Sequence, residues 1–132
     1  MDAPVLMLID DEFGVRESIK MVFGTQYRLL EADSVEAAIS MVRDARPDVI
    51  LLDVMMPGTD GLEMLQRIKE IRADCEVIML TGLNSQQLAE KARGFGAFDF
   101  IGKPFDILDL REKVARAFEH VKHRASPPTP SS

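Results

Sequence analysis

Short, nearly unbroken apolar runs alternate along the chain with stretches whose apolar residues recur every three or four positions. Runs of that kind suit strands of a parallel sheet covered on both faces, and the helical spacing between them supplies the crossovers. Four runs stand out: Val5 to Ile9, Val49 to Leu52, Val77 to Leu80, and Phe98 to Ile101. A fifth segment, Tyr27 to Ala32, mixes Arg28 and Glu31 with apolar residues and reads as a strand at the sheet's edge.

The segments between them carry helix signals. Val15, Ile19, Val22 and Phe23 keep a helical rhythm that Gly24 is placed to stop. Ser34 is a good N-cap for a second helix with the inward stripe Val35, Ala38, Ile39 and Val42, ending before Pro47. A third helix is expected from about Gly61 to Ile71, with Leu65, Ile68 and Ile71 or Arg72 on successive turns. Ser85 can cap a fourth, Gln86 to about Arg93, whose only apolar contacts are Leu88, Ala89 and Ala92, so it should be the weakest packed. Asp106 can cap the last, with the stripe Leu110, Val114, Ala117, Phe118 and Val121. The pattern predicts an α/β, doubly wound, five-stranded parallel sheet with five helices. Residues 1–123 should form one domain, and 124–132 a Pro- and Ser-rich linker or disordered tail.

Several apolar runs stop on chemically useful residues: Asp10 and Asp11, Asp53, and Thr81, with Lys103 just beyond the last run. Open sheets of this class bind ligands in the crevice beyond the strands' carboxyl ends, so these side chains should converge there. Three carboxylates in one crevice are costly unless a cation or a lysine offsets them. Oxygen ligands without His or Cys suit Mg²⁺, which commonly shares its shell with a phosphoryl group. Lys103 adds a mobile positive charge and Thr81 a hydroxyl donor, both able to pair with phosphoryl oxygens. A carboxylate beside a metal can act as nucleophile toward phosphorus. Asp53 is the best placed, because the Met55-Met56-Pro57-Gly58 loop after it should project it outward and leave backbone carbonyls free for the metal.

Composition narrows the partners. The 132 residues, 46% apolar, suffice for one domain with its own core. A net charge of −6 argues against nucleic-acid binding by this module. The lone Cys75 permits no internal disulfide, fits a reducing compartment and reads as a bland, half-buried thiol. No apolar stretch approaches the ~20 residues of a membrane span, and the N-terminus lacks a leader pattern, so a cytoplasmic protein is expected. His120 and His123, one turn apart, read as a solvated helix end. The charges of the fourth and fifth helices read as a solvated face.

The segments Leu8-Ile9-Asp10-Asp11-Glu12, Leu51-Leu52-Asp53-Val54-Met55-Met56-Pro57-Gly58-Thr59-Asp60-Gly61, Leu80-Thr81-Gly82, and Phe100-Ile101-Gly102-Lys103-Pro104-Phe105 occur in this order, at strand ends. Together they resemble the receiver domain of two-component response regulators, over essentially residues 5–122. The resemblance implies a flavodoxin-like sheet of order 2-1-3-4-5 and an Asp53 that accepts a phosphoryl group from a histidine kinase or phosphotransfer protein. It implies Mg²⁺ as cofactor, with Asp11 a direct ligand, Asp10 acting mainly through water, and Asp53 and the Met55 backbone carbonyl completing the set. Thr81 would move onto the phosphoryl group and Lys103 would bridge to it. Phe100 falls at the family's switch aromatic, often Tyr, and so lacks its hydroxyl; Gly82 stands where Ala is common. The face of the fourth helix, fifth strand and fifth helix would control an output domain or effector, and can also pair two copies of the chain. The run Gly96 to Ile107 looks most like receivers of the nitrogen-regulatory, sigma-54-dependent activators, which implies transcriptional output.

Two rival readings differ in class. An aspartyl-nucleophile phosphatase of the haloacid dehalogenase type needs a second Asp two residues after the nucleophile, and position 55 is Met. A receiver-like scaffold that binds partners constitutively would not need the acidic, hydroxyl and lysine positions that are all present here.

Overall fold

The structure is a computed structural model that describes residues 4–82 and 86–125. Strands and helices alternate: β1 (Val5–Ile9), α1 (Phe13–Phe23), β2 (Arg28–Ala32), α2 (Val35–Ala45), β3 (Val49–Asp53), α3 (Gly61–Ile71), β4 (Glu76–Thr81), α4 (Gln86–Gly94), β5 (Asp99–Gly102) and α5 (Ile107–Ala125). The five strands pair in parallel in the order β2-β1-β3-β4-β5. The chain therefore has the doubly wound fold that the hydrophobic pattern predicts, with the mixed Arg28–Ala32 segment at one edge.

Period-two geometry divides each apolar run between two cores. Met7, Ile9, Ile50, Leu52, Val77 and Met79 face α2, α3 and α4, where they meet Ala38, Val42, Leu65, Ile68 and Ala92. Their neighbours Leu6, Leu8, Val49, Leu51, Ile78 and Leu80 face α1 and α5, against Ile19, Phe23, Leu110, Val114 and Ala117. Fully burying one Leu or Ile side chain is worth about 1.5–3 kcal/mol, so losing the two-sided covering of the central strands would unfold the domain. As its sparse stripe predicts, α4 contributes little, burying only Ala92 and half-burying Leu88 and Ala89.

Helix ends follow local chemistry. Ser34 Oγ accepts from the Ala37 amide, 3.2 Å away, and Asp106 Oδ1 accepts from the Leu108 and Asp109 amides, as expected of both caps. Asp60 adds a cap that the hydrophobic rhythm does not reveal, accepting from the Leu62 amide at 2.9 Å. The Ser85 cap lies outside the described residues. Gly24 ends α1 at φ 54°, a conformation glycine reaches without Cβ strain. Arg46 ends α2 in the left-handed helical region, at φ 52°, where no glycine marks the stop. α5 runs to Ala125, two residues into the segment expected to be tail; residues 126–132 lie outside the description. No described helix is long and apolar enough to cross a membrane.

Candidate functional site

Sheet pairing continues beyond the strand ends and places the site residues. The Asp10 amide donates to Ala32 O, the Val54 amide to Leu80 O, and the Lys103 amide to Thr81 O. These bonds bring Asp10, Asp53 and Lys103 to the same carboxyl edge of the sheet, although 93 residues separate Asp10 from Lys103. Thr81 ends β4 opposite Gly102, so it stands on the same edge.

Lys103 lies at the centre. Its Nζ is 2.9 Å from Asp10 Oδ2, 3.4 Å from Asp53 Oδ2 and 3.8 Å from Glu12 Oε1. Among the described residues, Asp10, Asp11, Glu12 and Asp53 form the one group of metal-capable side chains, each offering a ligand atom within 4.8 Å of the others. Glu12 is an addition that its place beside the Asp-Asp pair could have signalled. Asp10 is fully engaged already, since its Oδ1 accepts from the Glu12 amide and its Oδ2 from Lys103. Asp11 and Glu12 are exposed at the rim.

Asp53 does not project outward as the loop suggested: it is only 2% exposed. The loop turns back over it, and the Met55 amide donates to Asp53 Oδ1 at 2.9 Å. The Met55 side chain points to solvent while Met56 packs into the core. Gly61 permits this close return, because a Cβ there would lie 2.8 Å from Val54 Cα.

The electrostatics follow from the crowding. Burial pushes the Asp53 carboxyl above its ordinary pKa and the Asp10 charge adds to this, while the Met55 amide and Lys103 pull the other way. Burial disfavours the Lys103 ammonium, but its bonds to Asp10 and Asp53 outweigh that and hold its pKa above the usual value. The donor set is all oxygen, open at Asp11 and Glu12 and anionic overall, which fits a hard divalent cation of the Mg²⁺ class.

The expected switch aromatic, Phe100, is half-buried on β5. The Arg93 guanidinium of α4 sits 5.5 Å from its ring centroid, and Lys113 of α5 donates to its carbonyl at 2.7 Å. Lys113 is thus not part of a merely solvated face. At the opposite end of the sheet two expectations change. Cys75 is wholly buried rather than half-buried, with its thiol pushed up to about 11 by desolvation. His120 is not simply solvated but pairs through Nδ1 with the buried carboxylate of Glu76, which also lies near Lys69. The His123 side chain lies outside the description.

The family model of the response regulator receiver domain matches residues 6–115. The chain belongs to that family. It is 33% identical to sporulation initiation phosphotransferase F of Bacillus subtilis strain 168 over 112 residues, 84% of this chain and 90% of that protein. It is 31% identical to the DNA-binding transcriptional regulator NtrC of Azospirillum brasilense over 89% of this chain, but only 24% of that longer protein. Among solved structures it resembles the CheX-CheY-BeF3-Mg+2 complex of Borrelia burgdorferi, with 26% identity, a TM-score of 0.81, and coverage of 87% of this chain and 89% of that one.

Proposed function

We propose that this receiver domain is a Mg²⁺-dependent phosphorylation switch in which Asp53 accepts the phosphoryl group. The observation that carries the reading is a buried Asp53 carboxylate that Lys103 bridges to the buried Asp10, with the exposed carboxylates of Asp11 and Glu12 beside it. One Asp53 oxygen attacks phosphorus of a phosphohistidine, the P–N bond breaks, and the departing imidazole retains the electron pair and takes up a proton. Asp11, Asp53 and the Met55 carbonyl would hold Mg²⁺, Asp10 acting through water; when bound, the ion neutralises charge on the phosphoryl oxygens. Lys103, already 3.4 Å from Asp53, swings from Asp10 to a phosphoryl oxygen. Thr81, on the neighbouring strand end, donates its hydroxyl to another.

The output face is α4, β5 and α5. Phe100 links all three through Arg93 and Lys113, and α4 has the fewest apolar anchors, so movement of Thr81 can repack Phe100 and shift α4. We assign the domain to the cytoplasm, a histidine kinase as donor, and transcription as the output, the last supported by the likeness to NtrC. Passing the phosphoryl group on to another protein is a second reading, supported by the 33% identity to the Bacillus phosphotransferase. The phosphatase reading stays disfavoured because Met55 offers no acid or base. Mass spectrometry after incubation with acetyl phosphate and Mg²⁺ tests the proposal. Wild type should gain one phosphoryl group and Asp53→Asn none; stoichiometric phosphorylation of the Asn variant would overturn it.

A further inference from the structure

We propose that Arg16, on the first turns of α1, is a positioning residue that orients the acidic turn toward its metal. The proposal rests on the Mg²⁺-dependent reading of the site and assigns a role to a side chain outside the cluster.

The Arg16 guanidinium uses two edges of its planar fork at once. Nη1 donates to the Asp10 carbonyl at 2.7 Å, and Nε donates to Glu31 Oε1 at 3.0 Å. The guanidinium is mostly buried, with its side chain 12% exposed, and it also lies 5.7 Å from the Phe13 ring centroid. Glu31 is a fixed anchor. It sits on β2 in register with Leu8 of β1, and its other oxygen accepts from Lys20 at 2.9 Å. Lys20 first, and Arg16 after it, hold the Glu31 carboxyl below its ordinary pKa, so it stays an anion.

The consequence lies in the peptide that Arg16 grips. The Asp10 carbonyl belongs to the plane joining Asp10 to Asp11, and the Asp10 amide is already tied to Ala32 O. With the Asp10 amide tied to β2 and its carbonyl to the Arg16 side chain of α1, the orientation of the Asp10–Asp11 peptide is set, and so is the direction in which Asp11 leaves the backbone. Asp11 and Glu12 are exposed and lack the packing that fixes Asp53, so this clamp, together with the Glu12 amide bond to Asp10 Oδ1, limits their wandering. Side chains that orient metal ligands from outside the coordination shell commonly matter almost as much as the ligands. A lysine cannot replace the fork, because a single ammonium does not supply two divergent in-plane donors.

Mg²⁺ itself is the probe, read by calorimetry and by the amide NMR signals of residues 10–12 in the full chain, alongside urea stability. Arg16→Met should weaken Mg²⁺ binding about tenfold. Arg16→Lys, which keeps charge and bulk and should fold readily, is expected to lose part of that affinity, and Glu31→Gln should weaken binding in the same direction. Ile19→Val, in the buried face of the same helix, should lower stability without moving Mg²⁺ affinity. Arg16→Lys and Arg16→Met with wild-type Mg²⁺ affinity would overturn the positioning role, as would an equal loss in Ile19→Val at matched stability. Failure of wild type to bind Mg²⁺ would instead overturn the functional reading, and this proposal with it.

Discussion

Replacing Lys103 with Met should destabilise the metal-free domain at neutral pH, and the loss should disappear on acidification. Lys103 places its ammonium 2.9 Å from Asp10 and 3.4 Å from Asp53, two carboxylates almost wholly excluded from solvent. Methionine keeps the stem and removes the charge, leaving two like charges within 4.8 Å of each other. At an effective dielectric constant of ~20, that repulsion amounts to about 3.5 kcal/mol, before the pair relaxes or takes up a proton. Proton uptake limits the penalty, so the expected loss is about 2–3 kcal/mol, in line with removing one partner of a buried ion pair that opens to water on one side. The direction with pH follows from Asp53, whose folded pKa is already raised by burial and loses the opposing pull of Lys103 in the variant. A carboxyl with a raised folded pKa binds protons more readily folded than unfolded. Its penalty is therefore full above the folded pKa, shrinks as pH falls below it, and is gone below the unfolded pKa. Urea denaturation followed by far-ultraviolet circular dichroism at pH 7.5 and pH 4.5, with and without Mg²⁺, measures this. Mg²⁺ should restore part of the loss at pH 7.5. Equal stability of variant and wild type at pH 7.5 without metal, or a deficit unchanged at pH 4.5, would show that Lys103 does not offset the Asp10–Asp53 repulsion.

Gly61→Ala should cost about 1–3 kcal/mol in the same denaturation assay, since its Cβ would meet the Val54 backbone at 2.8 Å. The loop that covers Asp53 should shift with it, visible as changed amide signals for residues 53–56. Met55 and Leu83 stand two positions beyond Asp53 and Thr81 and neither can orient a water, so the phosphorylated form should be long-lived. Leu83 lies outside the described residues. Met55→Asn with Leu83→Glu should speed phosphoryl loss about tenfold, corresponding to ~1.4 kcal/mol of barrier, measured by decay of the phosphorylated mass; no acceleration would mean that water access there does not set the lifetime.

Much of this was readable in the sequence because the governing signals are local. Val49 to Leu52 reads as a strand covered on both faces, and the doubly wound sheet follows from four such runs with helical crossovers. Asp10, Asp53 and Lys103 met because strand ends of a parallel sheet share an edge. The features that the sequence does not reveal depend on contacts across the fold. The burial of Asp53 comes from the Met55 amide and from Gly61 allowing the loop to fold back, neither visible as hydrophobic rhythm. The depth of Cys75 depends on its packing in the core under α2, α3 and α4, and the pairing of His120 with Glu76 on α5 reaching the far end of β4, neither of which residue periodicity reports. The Arg16 fork joins α1, β2 and the Asp10 turn, three elements whose mutual placement no single window of sequence contains.

The most direct measurement is to locate the phosphoryl group. Treatment with acetyl phosphate and Mg²⁺, followed by borohydride reduction, converts an aspartyl-phosphate to homoserine, which peptide mass spectrometry assigns to one position. Homoserine is expected at position 53, dependent on both acetyl phosphate and Mg²⁺. Homoserine at position 10 or 11 instead, or at no aspartate, would contradict Asp53 as the acceptor.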